Sequence, residues 1–272
     1  MLLVDGHVHI YDCFNVASVF DGAAANFAAA ARSFRCERHY DGVLCLVESG
    51  QERFLDGVRT GRLGRVWHGR HGFWELESRD EQETVVVRCG GARLALVAGR
   101  QLVTRERLEV LALGTTAPLR DGDAIETTLA AVRDTGAAAV LPWGVGKWLG
   151  ARGAVVARVM ADERWHEVFL GDNGNRLELG PEPPQFATAR RAGRAVLPGS
   201  DPLPLPGEEA RIGSYGFAVD VALDSLRPAA ALLAVLRSGA PFVPFGRRTA
   251  LPRFIGRQIA LQLKARLAPR AA

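Results

Sequence analysis

Short apolar runs recur along this chain, and a stretch of helical character follows most of them. Leu2 to Ile10, GVLCLV from Gly42, RLEVLAL from Arg107, AAAVLPW, EVFLGDN, AVLPGSD and GFAVDVAL read as strands. Runs of this length, partly β-branched and bounded by turn residues, suit strands covered on both faces. Helices are expected over 22–34, 51–60, 123–134, 154–162, 184–193 and 228–238, the third starting at Asp123 as N-cap with Glu126 three residues on. Residues 62–115 differ: they alternate or run in strand fashion, with Gly90-Gly91 as a hairpin turn. The strand–helix–strand rhythm predicts a parallel sheet, and the number of runs predicts a distorted (β/α) barrel of seven to eight strands with a β-rich stretch at 62–115. No low-complexity linker divides residues 1–272, and the Pro-rich loop 198–206 is short, so one domain is expected.

Composition narrows the setting. With 48% hydrophobic residues among 272, the chain can bury a large core, and its 24% charged residues are ordinary for a globular protein. The net charge is +4, almost all of the positive charge is arginine, and the lysines are Lys147 and Lys264. This pattern does not call for a nucleic-acid partner, and it favours anionic ligands only weakly. Cys13, Cys36, Cys45 and Cys89 show no close Cys-x-x-Cys spacing, so reduced thiols and a cytoplasmic setting are expected. Asp5 breaks the apolar start, which has neither the basic leader nor the long apolar run of a signal peptide, and no run reaches the ~20 residues of a membrane span. After Asp224 there is no acid and there are nine Arg or Lys. Ile255, Ile259, Leu263 and Leu267 recur every four residues there, beside Arg253, Arg257 and Lys264, which predicts an amphipathic basic helix over about 252–268. An outer helix docked on the domain is the ordinary reading; a membrane surface or an acidic partner is the alternative.

The residues with the clearest chemistry are Asp5-Gly6-His7-Val8-His9 in the first strand. Strand alternation places Asp5, His7 and His9 on one face and Val8 and Ile10 on the other, beneath the helices. Two imidazoles so placed can bind one divalent cation, with Asp5 orienting a ring N–H. In a barrel this strand end is also where active sites form.

From these residues onward, in order over roughly residues 2–250, the chain resembles the PHP (polymerase and histidinol phosphatase) metal-dependent hydrolases, relatives of the amidohydrolases. DGHVHIYD resembles the opening metal motif, GVLCLVES the second strand, AGRQLVTRERLEVLALG the paired strands, AVLPWG a His-Pro segment, FLGDNGN a strand supplying an acid or amide, and LPGSDPL the last metal motif. SLRPAAALLAVLRSGAPFV resembles the closing helix and strand. The chain departs from that pattern at Val47-Glu48-Ser49, where Thr-Asp-His is expected, and at Gln101, where a Glu is expected. It departs again at Leu141-Pro142 in place of His-Pro and at Asp201-Pro202-Leu203 in place of Asp-Ala-His. The resemblance therefore implies a reduced site: His7, His9 and Asp201, with Glu48 and Asp172 as further oxygen ligands, holding Zn, Mn or Fe and fewer ions than a full site. It implies hydrolysis by metal-activated water, of a phosphoester first and a C–N bond second, with Asp201 as general base where it stands beside the ion. A non-catalytic protein that binds a small anion or a partner protein stays open.

Further candidates lie near the same strand ends. Lys147 can bind a substrate anion, replace a lost metal charge, or be a surface lysine. Trp143 and Trp148 can form an aromatic wall or pack in the core. Arg176 and Arg211 can bind an anion and Glu208 and Glu209 can close over the site, or all four are solvated loop charges. His68 and His71 read as structural or surface residues, and His39 and His166 as solvent-facing.

Overall fold

The computed structural model describes residues 1–36, 40–50, 52–77 and 81–267. The chain runs β1 (Leu2–Val8), α1 (Val16–Ser33), β2 (Asp41–Leu46), α2 (Phe54–Arg59), β3 (Val66–Gly69), β4 (Gly72–Glu77), β5 (Thr84–Cys89), β6 (Ala92–Val97), β7 (Gly99–Val103) and β8 (Glu109–Leu113). It continues through α3 (Ile125–Asp134), β9 (Ala138–Pro142), α4 (Gly150–Ala161), β10 (Phe169–Asn173), α5 (Pro184–Arg191), β11 (Val196–Gly199), β12 (Tyr215–Val219), α6 (Pro228–Arg237), β13 (Val243–Gly246) and α7 (Leu251–Leu267). Gly90 and Gly91 form the β5–β6 turn, with Cys89 opposite Ala92.

The expected (β/α) barrel is not formed. The strands make an eight-stranded sheet, ordered β13-β12-β1-β2-β6-β5-β4-β3, and a five-stranded sheet, ordered β11-β10-β9-β8-β7. The reason lies in the β-rich stretch. β2 pairs in parallel with β6, and β6 is the last strand of an antiparallel meander. That meander extends the first sheet away from the position a barrel strand would take. The chain then turns at Gly99, where a Cβ would lie 2.5 Å from Leu46 O and 2.6 Å from Ala112 O. It enters the second sheet as an antiparallel β7–β8 hairpin. The two sheets meet along two seams. Asp201 N donates to His7 O at 2.9 Å on one side; on the other, Glu48 N donates to Gly99 O at 3.2 Å and Gln101 N to Glu48 O at 3.0 Å.

Side-chain alternation builds three cores. Val43 and Cys45 of β2 face the inter-sheet space with Leu2, Val4, Leu111, Val140 and Leu197. Leu44 and Leu46 face the other way, onto Val19, Phe20 and Phe27 of α1. The outer face of the small sheet, including Val110, Leu141 and Leu170, is covered by Leu129, Val156 and Phe186 from α3, α4 and α5.

α1 begins at Val16, six residues before the expected 22, α4 begins at Gly150, four before the expected 154, and α3 and α7 differ in how they are held. Ala124, not Asp123, caps α3, and the free N–H of Ile125 is taken by the Glu106 carboxylate at 3.1 Å. α7 matches the expected basic helix apart from residue 268, which, like His39, lies outside the described residues. It docks through its basic side: Arg257 donates to Glu208 at 2.7 Å and to Thr249 at 2.8 Å. Its apolar side, with Ile255, Ile259 and Leu263, is at least half exposed, the reverse of an ordinary surface helix. Among the described residues no helix is long and apolar enough to cross a membrane.

Candidate metal centre

The site begins with an irregularity in β1. Its parallel register with β2 shifts between Asp5 and Val8. Before the shift Leu3 packs toward α1; after it Val8 and Ile10 do. The alternation therefore changes phase, and His7 and His9 continue the inter-sheet line of Leu2 and Val4. Asp5 does not share their role. Its carboxylate accepts from the backbone N–H groups of Ser200 and Gly213, each at 2.8 Å, and of His7 at 3.3 Å. Burial pushes this carboxyl up to about 6 despite those three donors. Asp5 thus ties β1 to the loops after β11 and before β12, and does not orient an imidazole as expected.

Glycines allow the close approach that follows. At Gly6 a Cβ would stand 2.8 Å from Pro198 O, and at Gly199 only 2.4 Å from His7 Cβ. Just beyond, Asp201 takes a left-handed backbone with φ 44°, which Asp tolerates better than most residues. That turn sends its carboxylate back over the histidines.

His7, His9 and Asp201 form one group of convergent donors. His7 Nε2 and His9 Nε2 are 3.2 Å apart, and Asp201 Oδ1 lies 3.5 Å from the first and 4.0 Å from the second. A point equidistant from three atoms so spaced lies roughly 2.1 Å from each, the bond length of zinc to imidazole nitrogen and carboxylate oxygen. The group can hold a metal ion.

The surroundings prepare these donors. His9 Nδ1 lies 3.1 Å from Glu52 Oε2, which also accepts from Ser49 N at 2.6 Å. A carboxylate on the far ring nitrogen fixes a ligand imidazole and raises its basicity. Burial alone would lower His9, but the bond to Glu52 and its charge raise it; burial lowers His7 in spite of Asp201. Burial would raise Asp201, yet His7, His9, Lys147 and Arg211 hold it below its ordinary value, so it stands as a carboxylate. Its second oxygen accepts from Asn173 Nδ2, and its main-chain oxygen accepts from Asn175 Nδ2 at 2.6 Å. Arg211 in turn donates to Asn175 Oδ1 at 2.7 Å and to Glu208 at 3.1 Å. Tyr11 stacks on His9, with ring centroids 5.3 Å apart.

Lys147 belongs to this end of the molecule. Its side chain folds over Gly144, where a Cβ would meet its Cδ at 2.6 Å, and it pairs with Glu109. Its charge is felt at both His7 and Asp201.

Other expected site residues are engaged elsewhere. Glu48 forms the β2–β7 seam, and its carboxylate accepts from Leu55 N at 2.8 Å at the start of α2. Asp172 receives two bonds from Arg176, at 2.7 and 2.8 Å, and one from Tyr215 Oη at 2.7 Å. Neither is among the three donors, and Arg176 is buried against Asp172. Trp148 is buried edge-on to Phe186 in the α4–α5 core, while Trp143 is half-buried and contributes its main-chain oxygen to Asn173. Arg211 is committed to Glu208, Asn175 and Gly174 O. Glu208 joins Arg211 to Arg257, and Glu209 accepts from Gly207 N. His68, His71 and His166 are exposed, as expected.

Sequence reasoning missed Glu52, Asn173, Asn175, Glu109 and Tyr11. For one the signal was present: Leu170 and Asp172 share a face of β10, and Leu170 packs under the outer helices. Asn173, one step on, therefore points inward.

No family model matches the sequence, and no curated protein matches it. Its fold is similar to that of PsfC. The crystal structure of PsfC from Pseudomonas syringae PB-5123 superposes with a TM-score of 0.54, over 97% of this chain and 98% of that one, at 17% identity. A likeness at that identity concerns the fold.

Proposed function

We propose that this protein is a metal-dependent hydrolase with a one-ion centre, acting on a phosphoester. The observation that carries the reading is the convergence of His7 Nε2, His9 Nε2 and Asp201 Oδ1 at separations one cation can satisfy. An ion held there would supply a water activated at neutral pH and polarise the scissile group. The chain's own residues do the rest. Glu52 keeps Nε2 of His9 aimed inward. Asn173 and Asn175 hold the Asp201 carboxylate against rotation. Glu109 pairs with Lys147, whose charge reaches His7 and Asp201 and would act on charge developing on an anionic substrate there. The phosphoester is preferred over the C–N bond because its substrate is anionic before reaction as well as in the transition state, so that lysine aids its binding too.

The test is metal content and turnover together. After chelation and dialysis, the protein is expected to take up one equivalent of Zn or Mn by calorimetry, and His7→Ala and Asp201→Ala to take up none. The loaded protein is expected to hydrolyse p-nitrophenyl phosphate or its diester, and Lys147→Met to lose rate with metal content intact. Uptake unchanged in both ligand variants overturns the centre. A loaded protein inert toward both esters overturns the phosphoester reading.

A further inference from the structure

The inter-sheet space has a second end. Where β9, β10 and β11 begin and β12 ends, the elements part around a cavity of about 890 Å³. This lies at the opposite end of the parallel strands from His7 and His9. Phe217 and Val219 of the inter-sheet core line it, and half-buried Val235 and Phe242 carry that apolar surface outward. A cavity of this size and lining is of the kind that takes small molecules.

Its polar side chains are strongly biased. Arg133, Arg190, Arg194 and Arg237 line the cavity, against the single carboxylate Glu167. Arg194 is only 8% exposed, and its guanidinium donates to main-chain oxygens: to Trp165 at 2.7 Å and to Asp162 at 3.3 Å. Arg237 donates to Gly136 O, and Arg133 lies over the Trp165 ring at 5.2 Å. Among the described residues none of these three has a carboxylate within ion-pair distance. Neutral partners thus fix Arg194 in place, with Asp162 and Glu163 acting on its charge only from beyond ion-pair distance, while Arg133 and Arg237 stand exposed at the mouth. Of the three only Arg194 is buried, and a buried guanidinium is costly unless an anion joins it.

We propose that this cavity binds a small amphipathic anion: a carboxylate, sulfonate or phosphate head at Arg133, Arg194 and Arg237, on an aromatic or branched apolar body that rests on Phe217 and Phe242. The site is separate from the metal centre and stands whether or not the hydrolase reading does.

The probe is 8-anilinonaphthalene-1-sulfonate, an aromatic sulfonate, titrated by fluorescence into the full chain. Saturable binding of one probe per chain is expected. Arg237→Glu and Arg133→Glu, both at the rim, are expected to weaken it by about tenfold or more, the loss of one hydrogen bond to a charged group. Val235→Trp, which fills the cavity, is expected to abolish it, and His9→Ala to leave it unchanged. Neutral N-phenyl-1-naphthylamine is expected to bind at least about tenfold more weakly. Circular dichroism melts identify any variant that has lost its fold. Binding that survives Val235→Trp and both arginine variants overturns the site. So does binding lost in Ile259→Glu, which places the probe on the exposed stripe of α7. Equal binding of the neutral amine overturns the anionic head.

Discussion

The two ends of the inter-sheet space are built on opposite electrostatic plans. At the metal end the charged side chains are answered by opposite charges: His9 by Glu52, Lys147 by Glu109, Arg211 and Arg257 by Glu208, Arg176 by Asp172. At the far end Arg133, Arg194 and Arg237 rest on carbonyls and a ring. Paired charges make a scaffold that holds three donors in place, and an anion that is to react there is drawn by the bound ion and by Lys147 rather than by unpaired arginines. Arginines that rest on carbonyls tie segments together as well, yet with no carboxylate at ion-pair distance they leave a field for a ligand. The local architecture explains the difference. Segments of ten and fifteen residues follow β10 and β11 and fold over the donors, whereas three to seven residues enter β9, β10 and β11 at the other end.

The sharpest break in this comparison is at Gly199, whose missing Cβ lets β11 pass His7. Gly199→Val should force the seam open, cost about 4 kcal/mol or more in chemical denaturation, and remove metal binding. Retention of wild-type stability would show that the seam yields easily. Next is Asp172→Asn, which strips a buried guanidinium of its counter-charge and should cost about 3 kcal/mol. Metal affinity should not change; if it falls tenfold, Asp172 is a ligand after all. Zinc at a hundred times its dissociation constant should stabilise the wild type by about 2.7 kcal/mol, and this gain should vanish in Asp201→Asn. A thermal melt with and without the ion reads both. Glu52→Gln keeps the hydrogen bond and removes the charge, so it should weaken zinc by about 10–100-fold with the melt of the metal-free protein little changed. An unaltered affinity would mean that Glu52 is only a loop anchor.

Most elements and the pair His7 and His9 were legible in the amino-acid order because both are local, and Asp201 through the resemblance of LPGSDPL to a metal motif. His7 and His9 stand two apart in one strand, and Asp201 follows the close of another, so strand ends meeting at one edge bring them together. The barrel was misread because pairing is not local. Nothing in GVLCLV says that β2 takes β6 as its neighbour in place of β7, and that one choice turns a barrel into two sheets. The phase change at Gly6 was equally hidden, since alternation assumes an unbroken strand and so grouped Asp5 with the histidines. Glu52 and Glu109 lie in or beside loops whose course depends on that same topology. The inversion of α7 follows from Glu208, whose position under Arg257 depends on a loop 49 residues earlier in the chain.

The smallest expected effect tests the far end from within. Arg190 alone among the four arginines that line the cavity has a carboxylate within ion-pair distance among the described residues, Glu182, and half of its side chain is in solvent. Its charge is already answered, and an exposed pair contributes about 0–1 kcal/mol. Arg190→Ala should therefore leave the melt almost unmoved and weaken the sulfonate probe less than about threefold, while the matched Arg237→Ala weakens it by about tenfold or more. If the two substitutions weaken the probe equally, the cavity responds to net positive charge at its mouth and not to unanswered guanidiniums, and the contrast between the two ends becomes one of charge density alone.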